Sequence, residues 1–325
     1  MIKQNLNIQI DAVITWVDGS DTEWQKKINT YSQTKIDFKK KKESVRYNSI
    51  GEIDIAIRSI IKFASFIKNI YLVTDNQKPE NFEDLQQIAL EKQINLTLVD
   101  HKVIFKGYEK YLPCFNSCSI GSVLYRIPNL SEHFIIFNDD TFLMRETKPS
   151  DFFINKEPII RGQWKDFYEN QSLRKFYHKM LSFLGKKKKK GGFKTLQQTS
   201  AKLAGTKKYV RRFHTPVPVR RLTLENFFKT NNVLESNIKH RFRNNTQFIV
   251  SSLSEHLEIK NNSYHYKNNA QLTYFRSYKY HFMVVFKLFL FSKNKKKLFM
   301  TFQCLEMAED KTIDYVFTWI NKKLN

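Results

Sequence analysis

Cysteine is scarce and unpatterned in this chain: Cys114, Cys118 and Cys304 are the three among 325 residues, and no Cys-x-x-Cys occurs. An odd, scattered set builds neither a disulfide framework nor a zinc site, and it fits a reducing, cytoplasmic compartment. An apolar leader is also missing, because MIKQNLNIQIDAVITWVDG runs straight into a strand-like segment. The apolar stretch HFMVVFKLFLFS is interrupted by Lys287 and is too short to cross a bilayer. A soluble chain is expected, with peripheral membrane attachment left open. No GxxxxGK[ST], GxGxxG or GxSxG motif is present. Phosphate-loop ATP hydrolysis, the common form of dinucleotide binding and serine hydrolase chemistry therefore lose ground.

What is abundant is positive charge. Lys and Arg number 55 against 31 Asp and Glu, a formal net charge of +24. Such a field favours anionic partners: nucleic acid, acidic lipid headgroups or phosphorylated small molecules. The basic runs FKKKKES, GKKKKKGG and SKNKKK are scattered and lack the interleaved aromatics of a base-stacking platform. Nucleic acid is therefore not the expected partner. The run Lys186 to Lys190, bounded by Gly185, Gly191 and Gly192, reads as a mobile, solvated loop with an attraction to anionic membranes.

The first half alternates strand and helix patterns. NIQIDAVITWV, KNIYLVTD, INLTLVD and HFIIFND read as strands, and NFEDLQQIALEK and FNSCSIGSVLYRI as helices. In NSIGEIDIAIRSIIKFASF the stripe Ile50, Ile53, Ile57, Ile60, Ile61 and Ala64 marks an amphipathic helix. Alternation of this kind predicts an α/β fold with a mostly parallel sheet. Strands ending at Asp18, Asp75 and Asp139 place polar groups where open α/β sheets bind ligands.

Four segments carry chemistry. WVDGSD after a strand suits a tight turn close to a nucleotide, or a plain connection with Ser20 or Asp21 capping the next helix. NDD after FIIF can hold a divalent cation on a diphosphate and leave a carboxylate as base, or simply form a turn. RRFHTPVPVRR sets His214 before two prolines that stiffen the backbone. KHRFRNN offers Arg241 and Arg243, whose guanidinium forks match phosphate or else stay solvated. Together these segments point to a transferase with a nucleotide-activated donor.

IDAVITWVDGSD, RYNSIGEIDIAIRSIIKFASFIKNIYLVTDNQKP and LPCFNSCSIGSVLYRIPNLSEHFIIFNDDTFL resemble the first two conserved regions of the Stealth family. FHTPVPVRRLTLENFF with HRFRNN resembles the third, and FMTFQCLEMAED is similar to a variant of the fourth. The resemblance implies a hexose-1-phosphate transferase with a Rossmann-like, GT-A-like glycosyltransferase core. It implies a UDP-sugar donor, a glycan acceptor and a divalent cation, Mg2+ or Mn2+. It assigns Asp140, His214, Arg243 and Glu306 to catalysis and Asp139 to the metal. The substrate-binding positions it implies are Thr15, Trp16, Val17, Asp18, Gly19, Arg46, Asn116, Ser117, Arg126 and Asn138. Two departures stand out: Gly121 where many members carry Glu, and CLEMAED in place of a terminal Asn-Asp-Asp.

The expected organisation is one catalytic domain over 1–325. Its parts are a nucleotide-binding α/β half (1–155), a helical insertion with the Lys-rich loop (156–210) and a C-terminal part completing the site (211–325). The expected reaction is sugar-1-phosphate transfer with release of UMP, in capsular or surface polysaccharide synthesis. The enzyme would be cytoplasmic, at the inner face of the plasma membrane, near an anionic lipid surface and capsule-synthesis proteins. The rival within enzymes is a metal-dependent glycosyltransferase releasing UDP; the rival outside them is a basic nucleic-acid-binding protein.

Overall fold

A computed structural model of the chain describes residues 8–40, 45, 47, 49–171 and 192–325. Arg46 and the Lys186 to Lys190 run lie outside the described residues. The first half alternates as its pattern predicts: β1 (Ile10–Thr15), α1 (Thr22–Tyr31), α2 (Glu52–Phe63), β2 (Ile67–Thr74), α3 (Phe82–Glu91) and β3 (Asn95–Asp100). Short helices α4 (His101–Ile104) and α5 (Ser117–Gly121) precede β4 (His133–Asn138) and β5 (Thr141–Leu143). Then come β6 (Phe153–Ile154), β7 (Glu157–Lys165), α6 (Phe193–Leu203), β8 (Tyr209–Arg212) and β9 (Val217–Arg220). The chain ends with α7 (Arg221–Thr230), α8 (Leu234–Ile238), α9 (Val250–Lys260), β10 (His265–Lys267), β11 (Leu272–Phe275), α10 (His281–Lys293), β12 (Phe299–Phe302) and α11 (Asp310–Leu324).

The main sheet has the order β3-β2-β1-β4-β9. Its first four strands are parallel and only the edge strand β9 is antiparallel. An edge is where a strand containing Pro218 belongs, since proline donates no ladder hydrogen bond. From β3 at one edge the chain crosses to β4, on the far side of β1. That reversal opens a crevice between the carboxyl ends of β1 and β4, the usual ligand position in such sheets. Thr15 and Asn138 face each other there.

The stripe predicted on α2 packs on the sheet through Ile53, Ile57, Ile60 and Ile61. The helix also buries Ile55 and Ala56 against Phe142 and Phe302 on its other side. Each such isoleucine contributes roughly 1.5–3 kcal/mol of burial, so α2 rivets the main sheet to a second one. That second sheet is β11-β12-β5. Asp139 and Asp140 are the two residues between β4 of the first sheet and β5 of the second.

The helical insertion expected over 156–210 begins instead as the nine-residue strand β7, paired with β6, β8 and β10. The branched pair Ile159–Ile160 and the small Gly162 explain the strand. A Cβ on Gly162 would stand 2.4 Å from Val210 Cγ1 and 2.7 Å from Arg211 O, so only glycine lets β8 come so close.

Candidate active site

The turn after β1 is clamped from three sides. Asp21 caps α1 by accepting from Glu23 N and Trp24 N. Gln77 donates to Asp18 O and Asp21 Oδ2 and accepts from Asp18 N. Gly19 N donates to Tyr47 O at 2.8 Å. Trp16 and Gly19 are buried, while Thr15, Val17 and Asp18 are partly open at the crevice. Asp18 folds its own turn, with Oδ1 accepting from Ser20 N and Oγ.

Across the crevice, His214 meets the Asn-Asp-Asp turn. Its Nε2 lies 2.8 Å from Asn138 Nδ2 and 3.2 Å from Asp140 Oδ1. One ring nitrogen thus faces a donor and an acceptor. Neutral, it accepts from the Asn138 amide; protonated, it donates to Asp140. The imidazole stacks on Tyr274, with centroids 5.5 Å apart and planes 15° from parallel. Its loop is held by Thr301 Oγ1 donating to His214 O (3.1 Å), Arg212 Nη2 to Thr215 O (3.2 Å) and Phe213 N to Arg161 O (3.0 Å). Phe302 N donates to Asp140 O at 3.0 Å, tying the turn to the second sheet.

Around this turn negative charge accumulates. Glu52, the first residue of α2, is buried and takes the Ile50 N–H at 2.7 Å. Burial, with the charges of Glu306 and Asp140, pushes its carboxyl up to about 7. Burial first, then the Asp140 and Glu52 charges, also raise Asp139. After burial, the charges of Asp140, Glu306 and Glu52 hold the Tyr278 phenol and the Cys304 thiol up as well. Sequence reasoning missed Glu52; its signal was an acidic residue opening a helix directly before Ile53, the first helical residue of the buried stripe. Among the described residues no three His, Cys, Asp or Glu side chains converge as a closed metal cage. A hard cation such as Mg2+ needs none, because it usually takes one or two carboxylates and completes its shell with substrate phosphates and water. Asp139, its carboxyl raised by burial and by the charges beside it, suits an ion held in that way.

The remaining predicted residues divide. Arg243 Nη2 donates to Ser117 Oγ at 2.9 Å, so these two meet on the surface. Their loop reaches the β1 turn through an aromatic cluster of Trp24, Tyr47, Phe115 and Phe242, against which Val17 packs. Asn116 is buried and knits that loop: its Nδ2 lies 2.9–3.1 Å from Ser119 Oγ, His240 O, Phe242 O and Gln247 Oε1. It caps α5 through Cys118 N, so it supports Arg243 from behind. Arg126 is not brought to the crevice. It donates to Ile104 O and Lys106 O, and it lines a cavity of about 570 Å³ with Tyr108, Arg221 and Glu225. Arg221 follows the end of β9 that lies beside the start of β4, opposite the end where His214 sits. Glu306 is buried just beyond β12.

Comparison with known proteins matches the chain to Stealth protein CR1, conserved region 1, over residues 9–35, and to Stealth protein CR2, conserved region 2, over residues 46–160. Over those residues the chain is similar to conserved regions 1 and 2 of the Stealth family. It is 40% identical over 149 residues to the capsular polysaccharide phosphotransferase cps1A of Actinobacillus pleuropneumoniae, which covers 44% of this chain and 38% of that protein. It is 43% identical over 146 residues to the receptor polysaccharide phosphotransferase WefC of Streptococcus oralis, covering 45% and 41%. The chain thus spans about two-fifths of the length of the curated relatives it matches. Among solved structures, the glycosyltransferase GlyE of Streptococcus pneumoniae aligns with 98% of this chain and 62% of its own at a TM-score of 0.46 and 9% identity. The segment that matches region 1 holds the β1 turn, and the segment that matches region 2 holds Glu52, Ser117 and the Asn-Asp-Asp turn. His214, Arg243 and Glu306 lie beyond both matched segments; folding brings His214 to Asp140, Arg243 to Ser117 and the charge of Glu306 to Glu52.

Proposed function

We propose that this chain transfers a sugar-1-phosphate from a UDP-sugar to an acceptor hydroxyl of a glycan, releasing UMP and leaving a phosphodiester in a surface or capsular polysaccharide. The contact of His214 with Asp140 and Asn138, at the crevice between β1 and β4, carries this reading. The acceptor oxygen attacks the β-phosphorus, a new P–O bond forms, and the bond to the oxygen bridging the α-phosphate breaks. The acceptor proton passes to His214 Nε2 or to Asp140. A proton on Nε2 turns that atom from the Asn138 amide toward the Asp140 carboxylate, which stabilises the charged ring. Arg243, exposed beside Ser117, is the fork that offers positive charge to the phosphates. Asp139 with Asp140 would hold Mg2+ or Mn2+, which supplies charge neutralisation on the diphosphate. Thr15, Val17 and Asp18 line the nucleotide side. The same reading makes the enzyme cytoplasmic, working at a membrane beside other capsule-synthesis proteins.

The decisive experiment incubates purified protein with a panel of UDP-sugars and a glycan acceptor and identifies the released nucleotide. UMP with a phosphodiester signal in phosphorus NMR supports the reading. UDP with no phosphodiester replaces it with glycosyl transfer, and turnover of neither nucleotide removes it.

A further inference from the structure

Helix α10 is apolar over most of its surface, with Lys287 between its two faces, yet the protein covers only one of those faces. Val284, Leu288 and Phe291 are buried against β11, β12 and α11. On the opposite arc Phe282, Met283, Phe286, Phe289 and Leu290 remain between 48% and 70% exposed. At 100° per residue these five fall within one third of the helix circumference, with no charge among them until Lys293 at the end. A helix with apolar residues on two opposite faces needs an apolar partner for the face that the protein leaves open. At 13 residues and about 20 Å it lies in an interface and does not cross one.

The charge around this face selects its occupant. From Ile259 to Leu305 the chain has no Asp or Glu, and α10 and its flanking segments carry Arg276, Lys279, Lys287, Lys293 and the run Lys295 to Lys297; the neighbouring α11 brings Asp310 and Asp314 beside Lys311, Lys322 and Lys323. A two-fold dimer through this face would set one predominantly basic frame on another. Anionic headgroups neutralise that frame and offer acyl chains to the phenylalanines. Tyr280 and Tyr315, 49% and 37% exposed at the margin, have the amphipathic rings that suit the headgroup level. We infer that α10 is an in-plane membrane anchor that seats the exposed Phe282, Phe286 and Phe289 in the surface of an anionic bilayer. The inference does not depend on the reaction proposed above. It does set where that site works: Lys287 on α10 donates to Tyr274 O, and Tyr274 is the ring stacked on His214.

Sedimentation of the full chain with vesicles tests this directly. The protein should pellet with phosphatidylglycerol-rich vesicles, pellet much less with pure phosphatidylcholine, and keep part of its binding in high salt because the apolar contact is not screened. Phe282→Glu combined with Phe286→Glu should lower the partition coefficient by about tenfold or more, with circular dichroism and melting unchanged because both side chains face outward. Equal pelleting of parent and variant overturns the anchor. So does a parent dimer, seen by ultracentrifugation, that the same substitutions split while vesicle binding stays as it was.

Discussion

The His214 imidazole lies flat against the Tyr274 ring, 5.5 Å between centroids and 15° from parallel, while its Nε2 touches Asp140 Oδ1 at 3.2 Å. A ring fixed by stacking keeps one nitrogen on the reaction side, and each part of that arrangement can be removed separately. Asp140→Asn and His214→Ala should each lower UMP release by about 10²–10⁴-fold with the melting temperature nearly unchanged. Tyr274→Ala should lower kcat by about tenfold with KM little changed, and Tyr274→Phe, which keeps the ring, should restore it. Equal rates for the Ala and Phe variants would remove Tyr274 as a positioning residue.

Gly19 leaves no room for a side chain. A Cβ there would stand 2.3 Å from Tyr47 O, and the neighbour is backbone that has little freedom to yield. Gly19→Ala should destabilise the fold by about 1–3 kcal/mol and weaken donor binding, because the β1 turn must shift. Urea unfolding and a nucleotide-binding titration measure the two effects; a variant of parental stability would place Tyr47 further away.

Glu255 is buried beside the His214 loop, and burial pushes its carboxyl up to about 7 although Arg212 pulls the other way. Since the ordinary value is 4.5, the folded protein holds this proton more tightly than the unfolded chain does. Its contribution is complete below about 4.5, is lost as the pH rises toward about 7, and is flat above that. The loss is on the order of 3 kcal/mol. Glu255→Gln should remove that part of the slope, as urea midpoints across this pH range would reveal; parallel parent and variant curves would refute it.

Glu258 is a fully buried carboxylate engaged by Arg220, Thr223 Oγ1 and Ser263 Oγ. Glu258→Ala strands the guanidinium and both hydroxyls, and should cost on the order of 3 kcal/mol. Because β9 follows directly from the His214 loop, transfer should fall together with the melting temperature. Thermal unfolding and UMP release measured on one preparation would show whether the two move together.

The sequence disclosed the parallel half of the fold because β1, β2, β3 and β4 are apolar runs whose caps and turns agree with their pattern. Asp139 and Asp140 were legible for the same reason, as polar residues at the end of a strand. Arg126 was carried into the site by its place in a matching segment, and the structure turns it toward the carbonyls of Ile104 and Lys106. Glu52 was hidden because a glutamate opening a helix reads as a cap, and only the packing of α2 on two sheets brings it beside Asp139. Strand β7 was missed because the basic stretch that follows it reads as a helical insertion. His214, Arg243 and Glu306 have no local sign of proximity. Their placement is a long-range outcome: the loop before β9 brings His214 to Asp140, the Asn116 network sets Arg243 beside Ser117, and β12 leads into Glu306.

The acidic pair is also the covalent step from β4 to β5, so it sits at the joint between two sheets. Its geometry is therefore a gauge of how β12 seats against α2. Tuning the reaction without touching any functional group is a matter of shimming that seat. Suppressors of a weakened Asp139 should accordingly arise around Thr301 and Phe302, whose hydroxyl and amide fix the far side of the joint.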